Sequence, residues 1–180
     1  MSVAGLVLAA GEGKRFGGPK APYLYDGERL VDRAVRILHE AGCTDVYVVL
    51  GAWIDDIAAA TVITNADWIT GMGSSLKIGL EYLSEHSAAD SVVVTLVDLP
   101  GMTAAAIERI VSSDAAIAQA AFGGERGHPV KFAREHWNRV ALSAHDDVGA
   151  RDYLKSVHEE ILVIECGDVA SGEDLDLRPE

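Results

Sequence analysis

The first twenty residues set the strongest constraint on what this chain can fold into. Val3 to Leu8 is an unbroken apolar run, and four glycines (Gly11, Gly13, Gly17 and Gly18) follow within eight residues, with Lys14, Arg15 and Lys20 among them. An apolar run of that length, rich in Val and Leu, reads as a strand buried on both faces, as in the middle of a parallel sheet. Glycines let backbone N–H groups come close to a ligand and adopt positive φ. A loop leaving the carboxyl end of a parallel strand lies where open α/β sheets bind ligands. With three cations, such a loop can cradle a polyphosphate.

Two phosphate-loop patterns are excluded by the residues themselves. Gly18 is followed by Pro19 where a P-loop needs Lys, and Phe16 stands where a dinucleotide fingerprint needs its third Gly. The rest of the chain reads as alternating strands and helices. Leu30, Val31, Ala34, Val35, Leu38 and Ala41 repeat at helical spacing before Gly42. Asp45 to Leu50 and Thr61 to Thr64 read as strands, so the order predicts βαβ units and a parallel sheet. Gly71 and Gly73 predict a turn, with Ser74 or Ser75 capping the next helix. Ser91 to Val97 is the most strand-like run and ends in Asp98-Leu-Pro, which puts a carboxylate at a strand tip. Thr103 reads as the N-cap of a helix to Ser113, and a strand is predicted from Ala115 to Phe122. Pro129 would break a central ladder, so His128 is expected at the start of a new strand. Arg134 to Leu142 reads as a helix, and a further one follows with Asp147 as its cap. Glu160 to Glu165 reads as the last strand, ahead of an acidic tail.

Several of these stretches resemble one family. LAAGEGKRFGGPK, from Leu8 to Lys20, is similar to the glycine-rich signature of nucleotidyltransferases. Asn65, Trp68, Gly71, Met72, Ser75 and Leu76 match a second motif, of enzymes related to molybdenum-cofactor cytidylyltransferase; Ala66 replaces its proline. Asp98 and Pro100, the stretch around Arg126 to Val130, and Asp147 to Arg151 resemble three more elements of that family. The resemblance implies one domain over residues 1–180, a three-layer α/β/α fold with a mixed, mostly parallel seven-stranded sheet, and a cleft along the strand carboxyl ends.

It also implies roles. Arg15 and Lys20 would hold the triphosphate of an NTP and, with Asp98, carry the catalysis; Leu8, Ala9, Ala10 and Gly11 would bind the nucleotide, Ala10 narrowing the base pocket, and Asn65, Gly71 and Ser75 would lie near its base and ribose. His128 would border the acceptor pocket, and Asp98 would bind Mg²⁺. The tail acids Asp174 and Asp176 match part of a late acidic motif that returns an Asp to the metal, Asp176 being the chosen second ligand; the match slips at Leu177-Arg178. The implied reaction moves an NMP onto an acceptor phosphate, with molybdopterin as one candidate acceptor and a molybdoenzyme as a candidate partner. Ala10 favours CTP over GTP. A sugar- or alcohol-phosphate acceptor, and a non-catalytic nucleotide-binding chaperone for molybdoenzymes, remain as alternatives.

Composition narrows the partners. A formal net charge of -13 argues against nonspecific nucleic-acid binding. No apolar run reaches membrane-span length and no signal peptide is visible. Cys43 and Cys166 stand far apart, outside any metal motif, so reduced thiols and a cytoplasmic location are expected.

Overall fold

The computed structural model describes residues 1–179. Its centre is β1 (Val3–Leu8), flanked in parallel by β4 (Val46–Leu50) and β6 (Ser91–Leu96). Every residue of β1 and β4 is buried, as continuous apolar strands in a two-faced sheet must be. A small hairpin, β2 (Leu24–Tyr25) and β3 (Glu28–Arg29), leads from the glycine loop into helix α1 (Leu30–Glu40). The main sheet continues with β5 (Thr61–Thr64) beyond β4. On the other side lie β7 (Ile117–Phe122), β8 (Glu125–Ala133) and β9 (Ile161–Glu165), giving the order β5-β4-β1-β6-β8-β7-β9. Only β8 runs antiparallel to its neighbours, so the sheet is mixed and mostly parallel, with seven strands.

Alternation along the strands sends side chains to two cores. Val3 and Val7 pack with α1 and with α3 (Ala104–Val111) on one face. Ala4, Leu6 and Leu8 pack on the other with α2 (Met72–His86) and α4 (Trp137–Ser143), beside α5 (Arg151–Ser156). Gly79 explains how closely α2 lies on the sheet: a Cβ there would sit 2.9 Å from Leu6 Cδ2 and 3.2 Å from Val49 Cγ2.

Register aligns the working ends. Leu8 pairs with Leu96, so the loops after β1 and β6 emerge side by side. Val94 pairs with Val130 in the antiparallel β8, and continuing that register sets His128 opposite Leu96. Strand β8 therefore starts earlier than expected, at Glu125, and His128 lies inside it. Pro129 is tolerated in this central strand because the β7–β8 pairing shifts register between Gln119 and Ala121, which relieves the ladder at that point.

Three capping expectations meet different outcomes. Thr103 Oγ1 accepts from the Ala106 N–H at 3.2 Å, as an N-cap should. Helix α2 instead begins at Met72 after Gly71, so neither Ser74 nor Ser75 caps it, and Ala150 precedes α5 in place of Asp147. Arg134–His136 forms a short 3₁₀ turn ahead of α4. No helix among the described residues is long and apolar enough to cross a membrane.

Trp137 anchors the second core. It is 1% exposed, and its indole N–H donates to the Phe132 carbonyl at 3.0 Å. Trp137→Ala should therefore cost about 3–5 kcal/mol, the range for deleting a buried Phe or Trp. Urea denaturation measures this as a lowered midpoint at an unchanged slope; a loss below about 1 kcal/mol would show that the core closes over the gap.

Candidate active site

The glycine loop folds back on itself. Gly17 and Gly18 N–H groups both donate to the Gly13 carbonyl, at 2.8 and 3.1 Å. Gly13 has φ +62°, and a Cβ there would lie 2.0 Å from Gly18 O, so no other residue fits without moving the turn. This fold-back aims Lys20 across the strand ends at Asp98. Lys20 Nζ donates to Asp98 Oδ2 at 2.7 Å, with the two side chains only 15% and 20% exposed.

The acidic tail comes to the same corner. Leu175 N–H donates to the Asp98 carbonyl at 2.8 Å, and Ser171 N–H to Gly101 O at 3.1 Å. Asp176 Oδ1 stands 3.8 Å from Lys20 Nζ and 3.3 Å from Arg15 Nη2. Arg15 is 77% exposed and points toward the tail. Arg178 lies over the rings of Phe16 and Tyr23, at 5.2 and 5.6 Å, so the residues where the tail departs from the family pattern fasten it to the loop. Burial, with Asp98 and Asp176 nearby, holds the Asp174 carboxyl above its usual range.

A cavity of about 370 Å³ opens over these strand ends. Leu8, Ala9, Ala10 and Gly11 form one wall, with Lys20 and Asp98 at the edge and Gly71 and Ser75 opposite. Arg15 and Asp176 are not part of this lining. Neither is Asn65, which is buried at 3% exposure and works from behind. Its amide donates to Ser74 Oγ and Ser75 Oγ at 2.9 and 3.0 Å and accepts from Asp67 N–H at 2.9 Å, tying β5 to the start of α2.

The start of α2 is held by another segment. Gly73 N–H donates to Asp146 O at 2.7 Å, and Met72 N–H to Asp147 Oδ1 at 3.4 Å. Two of the helix's orphan donors are thus satisfied by protein. Gly71 is required here: it has φ +115°, and a Cβ would lie 2.4 Å from the Asp146 carbonyl.

A second cavity, of about 400 Å³, lies beside the first and shares Leu8, Met72 and Asp147 with it. His128 lines it, together with Arg126, Arg151 and Lys155. Lys14, one of the three cations of the glycine loop, lines the first cavity, as do Trp68 and Asp147; no site role was expected from the sequence for Trp68, for Asp147 or for these three cations. Arg126 and Arg151 sit inside matched motifs, and Lys155 follows Arg151 at helical spacing, so that signal was present.

Burial pushes the His128 imidazole pKa down to about 4, with Asp98 opposing from nearby. The ring is therefore neutral at pH 7 and can donate through one nitrogen only. Between its ordinary value of 6.5 and about 4, the unfolded chain takes up a proton that the folded site resists. Stability must then fall as pH falls through that window. His128→Asn should lose less stability than the parent between pH 6.5 and about 4 in urea titrations; parallel pH curves would contradict a half-buried ring held neutral.

Residues 5–161 match the family model described as MobA-like NTP transferase domain. "Nicotine blue oxidoreductase" of Paenarthrobacter nicotinovorans is 35% identical over 97% of this chain and 92% of its own length. "Probable molybdenum cofactor guanylyltransferase" of Opitutus terrae is 34% identical over 58% of this chain and 52% of its own. Among solved structures, Rv0371c of Mycobacterium tuberculosis H37Rv in complex with manganese superposes with a TM-score of 0.75 at 22% identity, covering 92% of this chain and 89% of that one. 2-C-methyl-D-erythritol 4-phosphate cytidylyltransferase of Thermus thermophilus gives 0.72 at 16% identity, over 97% and 93%. The fold is that of the nucleotide-diphospho-sugar transferases, and the chain belongs to the MobA-like NTP transferase family, as a nucleotidyltransferase.

Proposed function

We propose that the protein moves an NMP from an NTP, CTP in preference to GTP, to the phosphate of a small acceptor, with Mg²⁺ or a similar divalent cation, and that molybdopterin is the acceptor to test first. The observation that carries this reading is the Lys20–Asp98 couple at the edge of the first cavity, with a second cavity adjoining across Leu8, Met72 and Asp147. The first has room for the nucleotide and the second for the acceptor. Free, buried Cys43 and Cys166 suit a cytoplasmic setting.

The reaction needs an acceptor phosphate oxygen to bond to the α-phosphorus while the bond to the β-phosphate breaks and pyrophosphate leaves. Positioning and charge stabilisation do most of the work in such transfers. Lys20 is held rigidly by its short bond and limited exposure, so its ammonium can serve the departing phosphates. Arg15, on the open side of the loop, can reach the outer phosphates. His128, neutral, can donate to the acceptor.

The metal's fit rests on the acids. Among the described residues no three or more His, Cys, Asp or Glu side chains gather as a cage. Mg²⁺ needs only one or two carboxylates when phosphate oxygens and waters complete the shell. Asp98 and Asp176 are suited to that, and the raised Asp174 pKa marks a corner where added positive charge is welcome. When bound, the cation neutralises phosphate charge and orients the leaving group.

A second reading comes from the relative that aligns over nearly the whole chain and is named an oxidoreductase. In it, the same two cavities would hold an electron donor and an organic acceptor. Pyrophosphate release from MgCTP with a cofactor extract supports the transferase; oxidation of a reduced nicotinamide cofactor with a quinoid acceptor, and no pyrophosphate, would replace it.

Two outcomes follow. Lys20→Ala should lower pyrophosphate release by ~10²-fold or more, the range for losing one preorganised charge partner; Asp98→Asn should abolish the metal-dependent rate, and Asp176→Asn should weaken it less, because Asp176 is half exposed. Unchanged release in Lys20→Ala removes Lys20 from the chemistry. Separately, calorimetric titration in the presence of Mg²⁺ should give tighter binding for CTP than GTP, since Ala10 lines the first cavity, where its methyl would narrow the space for the base; tighter GTP binding reverses the assignment.

A further inference from the structure

The second cavity is built from two facing periodicities. Arg126, His128, Val130 and Phe132 alternate along β8, so they share one face of the strand. Arg151, Leu154, Lys155 and His158 recur at i, i+3, i+4 and i+7 on α5 and the turn after it, so they share one face of the helix. The β8 row grades from basic to apolar, and the helix row sets Leu154 among basic residues. Phe132 and Val130 are buried, while Arg126, Arg151 and Lys155 are exposed. The result is an apolar floor with a cationic rim.

The state of those cations is unusual for this chain. With 28 acids against 15 Lys and Arg, a basic side chain rarely lacks a partner. Among the described residues every other Lys or Arg except Arg33 has an ion pair, a hydrogen bond or a ring beneath it. Arg126, Arg151 and Lys155 have none, and all three line this one cavity. Asp147 is its only acidic lining residue, and that carboxylate faces the Met72 N–H. Three cations without partners around one apolar hollow offer an anion charge-assisted contacts.

We infer that the second cavity binds a small organic polyanion with an apolar body, and that Arg126, Arg151 and Lys155 grip an anionic group other than the one that reacts. The inference rests on the proposed transferase reading only for the occupant's role as acceptor. A reacting phosphate must lie toward Leu8 and Met72, the boundary with the nucleotide cavity. The basic rim belongs to β8, two strands along the sheet from Leu8 on β1, and to α5, so it can serve a second charge. Lys155 and Arg151 then set which acceptor is taken, by a charge-assisted contact remote from the chemistry.

Naphthalene-1,5-disulfonate, naphthalene-1-sulfonate and MgCTP are the probes, titrated separately into the full-length protein at low salt. The disulfonate should bind about tenfold or more tightly than the monosulfonate, one charge-assisted contact being worth roughly a factor of ten. Lys155→Glu and Arg151→Gln, both exposed positions, should each remove that advantage while MgCTP still binds. Added salt should weaken the disulfonate more than the monosulfonate. Equal affinity for the two sulfonates, or a disulfonate advantage that survives both substitutions, overturns the inference. Disulfonate binding that behaves as expected in a protein that does not bind MgCTP leaves the inference standing and removes the transferase reading instead.

Discussion

The site depends on one ion pair, between Lys20 and Asp98. At 2.7 Å and with both side chains mostly covered, it joins the end of the glycine loop to the tip of β6. A partly buried pair is a poor source of net stability, because desolvation offsets much of the attraction. Its value lies in placement. The ammonium and the carboxylate are what a triphosphate and a divalent cation each require, and here they neutralise one another across adjacent strand ends. On the proposed reading a metal–nucleotide complex would offer each a stronger partner, and binding would become an exchange of partners within a rigid frame. Preorganisation of this kind carries most of the stabilisation in phosphoryl-type transfer.

That frame comes from the sheet. Parallel register of β1 with β6 sets Leu8 beside Leu96, and antiparallel β8 returns His128 to the same edge. Glycines at 13 and 71 let two loops approach closer than any side chain would allow. The tail adds a further connection, through Leu175 to Asp98 and through Arg178 over Phe16 and Tyr23. The corner beside the first cavity is thus held by contacts between segments far apart in sequence, Arg15 and Asp176 among them.

Much of this was legible in the chain itself. Val3–Leu8 and Thr61–Thr64 were readable to the residue, and α1 nearly so, because their apolar patterns are dense and their ends are punctuated by glycine or polar residues. The features that were not legible are long-range ones. Gly71 looked like a plain turn residue, yet it is needed because Asp146 packs against it from another part of the chain. Asp147 looked like a cap for the helix that follows it, yet it faces the start of α2. Pro129 argued for a strand boundary, and only the shifted pairing between β7 and β8 makes room for it in a central strand. Asn65 reads as a ligand-binding polar residue; that its buried amide also bonds to two serines at the start of α2 could not be read from the sequence.

The account's central claim is that Asp98 binds a divalent cation jointly with nucleotide phosphates, since the described residues hold no cage of their own. Mn²⁺ titration followed by electron paramagnetic resonance tests this directly, because the free-ion signal reports binding. With protein alone the signal should fall little, and addition of CTP should quench it at one ion per chain. Tight Mn²⁺ binding that is indifferent to CTP would contradict the claim, as would a signal that CTP and protein together leave no lower than CTP does by itself.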